Sequence, residues 1–189
     1  MGERVIQARV RRDGEEPTDK ATQIAMEVMT NADISLLDQL RIEASVLVPL
    51  LNALRAELGK ERADELVMNA VRAQRRELAR RMGLQVSGST RQKFAMFVAG
   101  NAARAGGDID HEIHRQDDSS LDLDVVGCRF ADLFHSLGEP ELGAVLVCEC
   151  DDHVASEFIG PGLEFSRTQT IMKGASCCDF RYRIQEDES

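Results

Sequence analysis

Apolar residues in the first half of the chain recur at the spacing of amphipathic helices. Between residues 34 and 58 the leucines recur every three or four positions, so they share one face of a predicted helix. Asp33 is the expected N-cap of this helix. Pro49 lies inside the run and should kink or restart the helix, because proline cannot donate the internal hydrogen bond. A shorter helix is expected over residues 19–30.

Two further helices are predicted in this half. Residues 61–82 carry apolar side chains on one face, and Gly83 is expected to end the helix. The next helix covers residues 89–104 and should stop at Gly106 and Gly107. Four arginines gather near the end of the first of these helices, where cations stabilise the helix dipole. They are Arg75, Arg76, Arg80 and Arg81. We favour a solvated helix end for this group over an anion-binding site.

The pattern then changes from helical to alternating. Residues 121–125 alternate between apolar and acidic side chains, which is typical of a half-exposed strand, and they should form a hairpin with residues 110–116. Two more helices and a second hairpin are predicted at residues 128–138, 141–158, 163–172 and 177–184. The order of the elements predicts an α+β fold, with N-terminal helices followed by a small antiparallel sheet and two interspersed helices.

The chain is predicted to form one domain. Its 189 residues are enough for one core and few for two, and no repeat or long linker divides them. Residues 1–17 have mixed charge and few apolar side chains, so we expect a flexible arm there and the domain over residues 18–184. Residues 185–189 are mostly acidic and are expected to form a loose tail.

The charge balance narrows the function classes. The chain has 23 Lys and Arg residues against 33 Asp and Glu residues, a formal charge of −10. This acidity argues against binding to nucleic acid and to anionic membranes. A small-molecule substrate is therefore the expected partner. The sequence leaves open whether the chain forms a homo-oligomer. The N-terminal sequence has no apolar segment of the kind that a signal peptide needs, so we expect a cytoplasmic protein.

All five cysteines lie in the last third of the chain. They are Cys128, Cys148, Cys150, Cys177 and Cys178. An odd number of thiols in a reducing compartment is not expected to form a disulfide framework. Thiolates with a histidine could form a zinc site, but the spacing differs from the usual pairs two to four residues apart. We therefore expect neither a metal nor another cofactor, with zinc as the alternative.

Short motifs follow one another through the same part of the chain. They are Gly127-Cys128, LGEPEL at 137–142, CECD at 148–151, RTQT at 167–170 and GASCCDFR at 174–181. In this order they resemble the L-2-amino-thiazoline-4-carboxylic acid hydrolase family. The helical run from Glu43 to Leu66 is also similar to the N-terminal half of that family. The acidic stretch at residues 108–124 matches no motif of the family.

The resemblance implies a hydrolase that opens a small cyclic amidine or isothiourea carrying a carboxylate. The named reaction gives an N-carbamoyl amino acid. Such a reaction needs a group that attacks the amidine carbon, a group that protonates the leaving thiolate or amine, and an anchor for the carboxylate. Fold carries over within a family better than substrate does, so the identity of the substrate stays open.

Three residues are the candidates for catalysis. Cys148 and Cys178 lie inside the family-like motifs, and a thiolate beside a cation is a strong nucleophile. A small buried hydrophobic residue is the alternative for either cysteine. Asp151 lies three residues after Cys148 and would share its helix face, which suits proton transfer or amidinium binding. A solvated acidic helix face is the alternative for this aspartate.

The predicted substrate-binding residues are Arg167, Thr168 and Asp179. Arg167 is the candidate carboxylate anchor, because a guanidinium binds a carboxylate in a bidentate manner. An exposed strand arginine is the alternative. Residues 128–189 contain 12 acidic and 5 basic side chains, so few cations are present to hold an anionic substrate. The four histidines fall outside the family-like motifs and are expected at the surface.

A non-catalytic domain is the competing interpretation. A small ligand-binding or sensor domain, similar to the 4-vinyl-reductase-like domains, would also have an α+β fold and an internal pocket. The two functions predict different sites. A hydrolase should gather a cysteine, Asp151 and Arg167 around one cleft. A sensor should have an apolar pocket with these residues scattered.

Overall fold

Three long helices form the first half of the fold. A computed structural model describes residues 34–185, except for the side chains of residues 101–104. The helices are α1 (Leu36–Leu58), α2 (Lys60–Gln85) and α3 (Thr90–Ala105). Gly59 alone separates α1 from α2, and its φ of 81° lies in the left-handed region that glycine adopts without strain. The predicted arm at 1–17, the helix at 19–30 and most of the acidic tail lie outside the described residues.

Two predicted helix boundaries are wrong, and one predicted restart does not occur. Ser35, rather than Asp33, is the N-cap of α1, where its side chain accepts a hydrogen bond from the backbone of Asp38. Helix α1 continues through Pro49 without restarting. Helix α2 continues past Gly83, where a Cβ would lie 2.7 Å from the carbonyl oxygen of Glu157. That glycine therefore permits close helix packing rather than a helix end.

The start of α3 confirms its prediction. Ser89 accepts a hydrogen bond from the backbone of Gln92, and the Gln92 side chain accepts one from the backbone of Ser89. This reciprocal capping box satisfies two of the N–H groups that a helix start leaves without partners. Helix α3 ends before Gly106, also as predicted.

One antiparallel sheet forms the second half. The strands β1 (Ile109–Asp117), β2 (Ser120–Cys128), β3 (Leu163–Ser166) and β4 (Cys178–Ile184) lie in the order β1-β2-β4-β3. The β1–β2 hairpin and the β3–β4 pairing confirm the two predicted hairpins. The predicted strand over residues 163–172 is too long, because β3 ends at Ser166. The chain then forms a loop and a short 3₁₀ turn, Ile171–Lys173.

Two helices connect β2 with β3, as predicted. Helix α4 spans Arg129–Ser136, and the Cys128 sulfur caps it by accepting a hydrogen bond from the backbone of Ala131 at 3.4 Å. Helix α5 covers residues 140–159 and begins with Pro140. Its consecutive segments are Pro140–Gly143, Ala144–Cys148, Glu149–His153 and Val154–Ile159. The second and fourth segments are π-helical. Widened turns of this kind occur often at functional sites.

Two apolar clusters hold the layers together. The first joins α1, α2, α4 and α5, with Leu51, Phe134 and Leu142 completely buried. The second lies between the sheet and the helices α3 and α5, where Phe94 contacts Tyr182. The arrangement confirms the predicted α+β class. In the part of the chain described here, no helix has the length and apolar character needed to cross a membrane.

The arginines near the end of α2 are engaged in ion pairs. Arg75 pairs with Glu43 of α1, and Arg76 donates to Glu157 of α5 at 2.5 Å. The other two, Arg80 and Arg81, both pair with Glu77. Carboxylates of the protein already bind these cations, so the structure gives no support to an anion-binding site there. The prediction of a solvated helix end does not hold for Arg75, because its side chain is only 7% exposed.

Candidate active site

A small polar cleft opens between α5 and the loop that follows β3. Its volume is about 190 Å³, below the ~300–1,000 Å³ of pockets for drug-sized ligands. Helix α5 forms one wall, which includes Cys148, Glu149 and Asp152. Residues 167–173 form the other wall. Those whose side chains matter for the site are Arg167, Thr168, Gln169 and Lys173. The cleft therefore contains several of the residues that the sequence singled out.

Arg167 joins the two walls of the cleft. Its Nη1 donates to Oδ2 of Asp151 at 2.9 Å, and its Nη2 donates to the carbonyl oxygen of Cys148 at 2.9 Å. A third bond runs from Nη2 to Oδ2 of Asp152 at 3.2 Å. The arginine side chain is only 8% exposed. Arg167 thus fixes the turn of α5 that carries Cys148 and Asp151.

Two aromatic rings support this arginine from the sheet side. The centre of the Arg167 guanidinium lies 5.0 Å from the ring centroid of Phe180 and 5.5 Å from that of Phe165. Both distances lie within the range of cation–π contacts. Strand and helix together hold the cation in one orientation.

Asp151 has an unusual proton affinity. Burial raises the pKa of Asp151 to about 6, although the neighbouring Arg167 acts to lower it. Its side chain is 24% exposed, and it reaches the cleft through Arg167 rather than lining it. A carboxyl group with a pKa near neutrality is suited to proton transfer. The predicted catalytic role of Asp151 remains a prediction.

Cys148 lines the cleft but is not a thiolate in the free protein. Burial raises the pKa of Cys148 to about 12, and Asp151 raises it further, while Arg167 acts in the opposite direction. The thiol is therefore protonated at neutral pH. Its predicted role as nucleophile remains a prediction, and an attack by Cys148 would need a cation or a proton acceptor that arrives with the substrate.

Cys178 occupies a different position from Cys148. Its sulfur accepts a hydrogen bond from the backbone N–H of Ile171 at 3.2 Å, and burial raises the pKa of the Cys178 thiol. It begins β4 and does not line the cleft. The contact gives Cys178 a structural role in holding the 3₁₀ turn. Its predicted role in catalysis has no support from the walls of the cleft and stays a prediction.

Thr168 and Asp179 are bonded to each other. The Asp179 carboxylate accepts hydrogen bonds from the backbone N–H of Thr168 at 2.9 Å, from its hydroxyl at 2.6 Å, and from the backbone N–H of Gln169 at 2.9 Å. Burial acts to raise the pKa of Asp179, but these bonds hold it below the usual value. Asp179 shapes the loop wall from behind, while Thr168 itself lines the cleft. Whether either residue binds substrate remains a prediction.

Lys173 and Asp152 are among the cleft residues that the sequence did not indicate. Lys173 lies in the loop wall, and no carboxylate among residues 34–185 forms an ion pair with it. Asp152 lies in the helix wall, and its side chain is 55% exposed. Sequence position gave one usable signal, since Asp152 directly follows the CECD motif. No sequence signal pointed to Lys173, because a single 3₁₀ turn is too short to show a periodic pattern of apolar residues.

The thiols are not assembled into a metal site. All five cysteines are free. Cys148 lines the cleft, whereas Cys150 does not, and the Cys150 thiol donates to the carbonyl oxygen of Leu146 at 3.0 Å. Within the described range, no group of three or more His, Cys, Asp or Glu side chains is placed to hold a metal ion. The described histidines do not line the cleft either.

Comparison with known proteins agrees with the motifs. The family model described as L-2-amino-thiazoline-4-carboxylic acid hydrolase matches residues 39–182. The matched region contains both walls of the cleft and includes the stretch at 108–124, which carried no family-like motif. No curated protein matches the chain.

Proposed function

Since the chain belongs to the L-2-amino-thiazoline-4-carboxylic acid hydrolase family, we propose that it hydrolyses a small cyclic amidine or isothiourea that carries a carboxylate. The product is the ring-opened N-carbamoyl amino acid. The reaction adds one water molecule: its oxygen bonds to the amidine carbon, the ring C–S bond breaks, and the leaving sulfur takes a proton. L-2-Amino-thiazoline-4-carboxylate is the first substrate to test.

The contact set of Arg167 is the observation that carries this proposal. One buried guanidinium binds the backbone of Cys148 and the carboxylate of Asp151 beside a cleft that Cys148 lines. A cysteine, an aspartate and an arginine grouped beside one cleft support a hydrolase, with Asp151 behind Arg167 rather than in the lining. The cleft also has charged residues on both walls, whereas a sensor for apolar ligands needs an apolar pocket. The geometry therefore supports catalysis over ligand sensing.

In this proposal Cys148 supplies the attacking sulfur. An amidinium ring bound beside Cys148 would lower the pKa of its thiol, because a nearby positive charge favours the thiolate. As the Cys148 sulfur bonds to the amidine carbon, the ring C–S bond breaks and the leaving sulfur takes the proton that the Cys148 thiol gave up. Water then adds to the same carbon, and the bond to Cys148 breaks, which releases the product and regenerates the thiol. Asp151 takes part in proton transfer, for which its pKa of about 6 is suited. Arg167 holds both residues in position.

A hydrolysis screen tests the proposal. The purified protein is incubated with cyclic amidines, thiazolines and hydantoins, with and without a chelator, and products are identified by mass spectrometry. We expect L-2-amino-thiazoline-4-carboxylate to give N-carbamoyl cysteine. Cys148→Ser should abolish the reaction. Cys177→Ser should retain it, because Cys177 does not line the cleft and serine keeps an acceptor for the Gln169 side chain. If no cyclic amidine is hydrolysed, with or without added divalent metal ions, the proposal is wrong.

A further inference from the structure

The two walls of the cleft carry opposite charges. Glu149 and Asp152 line the cleft on helix α5, and the exposed residue Lys173 lines it on the loop. Glu149 is held by Arg72 of α2 through bonds of 2.7 and 3.0 Å. Asp152 is more available, since its side chain is 55% exposed and makes one ion pair at 3.2 Å. A ligand in the cleft therefore meets a negative wall and a positive wall.

The two cationic side chains of the cleft, Arg167 and Lys173, differ in the protein groups that already bind them. Arg167 already binds Asp151, Asp152 and the carbonyl of Cys148. A substrate carboxylate could bind it only in competition with these groups. Lys173 forms no ion pair with any carboxylate in the described part of the chain. The ammonium group of Lys173 can therefore bind a substrate carboxylate without displacing a carboxylate of the described chain.

The backbone holds Lys173 in its place in the loop wall. Its N–H donates to the carbonyl and the hydroxyl oxygen of Thr170, at 3.1 and 3.3 Å, in the 3₁₀ turn. Gly174 follows with a φ of 90°, which allows the chain to reverse towards β4. The turn fixes the start of the lysine side chain, while its four-carbon stem leaves the ammonium group free to meet a ligand.

We propose that the cleft selects a zwitterion, with Lys173 binding the carboxylate of the substrate and Asp152 binding its amidinium. The inference rests on the proposed function for the reaction, but the charge arrangement stands on the cleft alone. It gives Arg167 a positioning role in place of the anchoring role expected from the sequence. It also explains how a chain of charge −10 can bind an anionic substrate. Lys173 lines the cleft, and no carboxylate among residues 34–185 neutralises its charge.

Binding measurements with three related probes test this assignment. They are L-2-amino-thiazoline-4-carboxylate, 2-amino-thiazoline without the carboxylate, and thiazoline-4-carboxylate without the amino group. Calorimetry in the Cys148→Ser background separates binding from turnover. Lys173→Met should weaken the two carboxylate probes about ten- to a hundredfold, the size expected of a hydrogen bond to a charged group. It should leave 2-amino-thiazoline unchanged.

The complementary variant and a control complete the test. Asp152→Asn should weaken the two probes that carry an amidine and spare thiazoline-4-carboxylate. Arg115→Met removes a positive charge from an exposed position on β1, away from the cleft, and should change none of the three affinities. If Lys173→Met affects the probes with and without a carboxylate equally, or not at all, the assignment is wrong. Failure of the zwitterion to bind also overturns it.

The two proposals can fail separately. Binding of the zwitterion with the expected dependence on Lys173, but without hydrolysis by the wild-type protein, rejects the proposed function and leaves this inference standing. Hydrolysis of the zwitterion with a KM that Lys173→Met leaves unchanged rejects the inference and leaves the function standing.

Discussion

Arg167 donates a hydrogen bond to the carbonyl oxygen of Cys148 at 2.9 Å, across the cleft between the loop and helix α5. The residue expected to hold the substrate therefore holds the candidate nucleophile. The contact lies at the end of the π-helical segment Ala144–Cys148.

Arg167→Lys should lower kcat more than it raises KM. Lysine keeps the charge but cannot bond to Asp151 and to the Cys148 carbonyl in the fixed geometry of a guanidinium. Steady-state kinetics on the proposed substrate measure the split. A rise in KM for carboxylate-bearing substrates with an unchanged kcat would instead restore the anchoring role of Arg167.

Arg167→Ala should also destabilise the fold. It leaves Asp151 partly buried without its cation, so we expect a loss of about 2–4 kcal/mol in the free energy of unfolding, near the ~3–5 kcal/mol of a broken buried pair. Urea denaturation followed by circular dichroism measures this loss. The control is Arg115→Ala, an exposed ion-pair residue whose loss should cost ~0–1 kcal/mol.

The raised pKa of Asp151 predicts a pH dependence of stability. The folded state binds a proton on Asp151 up to about pH 6, while an aspartate in the unfolded chain loses it near the ordinary pKa of 3.8. The contribution of Asp151 to stability therefore falls as the pH rises through this window and is constant above it. Relative to Asp151→Asn, the wild type should lose stability between pH 4.5 and pH 7. An unchanged difference between the two proteins would contradict the raised pKa.

The thiol of Cys148 should react slowly with iodoacetamide at pH 7.5. Burial raises the pKa of this thiol to about 12, and alkylation requires the thiolate. The rate at Cys148, followed by peptide mass spectrometry, should rise steadily up to pH 10. Alkylation of Cys148 should abolish turnover, and bound substrate should protect against the loss. Full activity of a Cys148→Ser, Cys178→Ser double variant would remove cysteine from the mechanism.

The sequence predicted the elements better than it predicted their ends. The helical and alternating patterns are repeated several times in each element, so α3, the β1–β2 hairpin and the α+β order were all readable. Single positions depend on tertiary contacts. Gly83 has the local character of a helix end, but the approach of the α5 backbone is what requires glycine there. Nothing within α2 itself carries that information.

The candidate site shows the same difference between local patterns and tertiary contacts. The family-like motifs identified Cys148, Asp151 and Arg167, which do lie together. They could not show that Arg167 bonds to the other two, since that contact spans 19 residues from Cys148 and depends on the exit of the chain from β3. The place of Lys173 in the cleft could not be predicted from the sequence for a similar reason. Its place in the cleft comes from a loop that a distant carboxylate, Asp179, helps to shape.

Gly83→Ala should destabilise the protein through a steric clash. A Cβ would lie 2.7 Å from the Glu157 carbonyl oxygen and 2.9 Å from the Phe158 Cα, both of them backbone atoms that cannot move alone. We expect a loss of about 1–3 kcal/mol, the usual cost of overpacking. Gly100→Ala in α3 is the matched control. Among the described atoms of residues 34–185, nothing lies within 4 Å of a Cβ at Gly100, so alanine there should stabilise by ~0.5–1 kcal/mol through its helix propensity. Thermal denaturation of the two variants should give shifts of opposite sign.

Asp179→Ala should loosen the loop wall of the cleft. The carboxylate of Asp179 accepts three hydrogen bonds from Thr168 and Gln169, and it lies in β4, whose position the sheet fixes. Without this acceptor, Thr168 and Gln169 lose their backbone bonds to β4. The bond from Ile171 to Cys178 remains, so the loop stays attached but is held less firmly opposite α5. We expect a raised KM, together with faster amide hydrogen exchange at Thr168 and Gln169. Asp122→Ala in the neighbouring strand β2 removes a carboxylate that bonds to Arg183 instead, so it should leave the KM unchanged. Equal effects of the two variants would mean that Asp179 acts through general sheet stability and not through the loop.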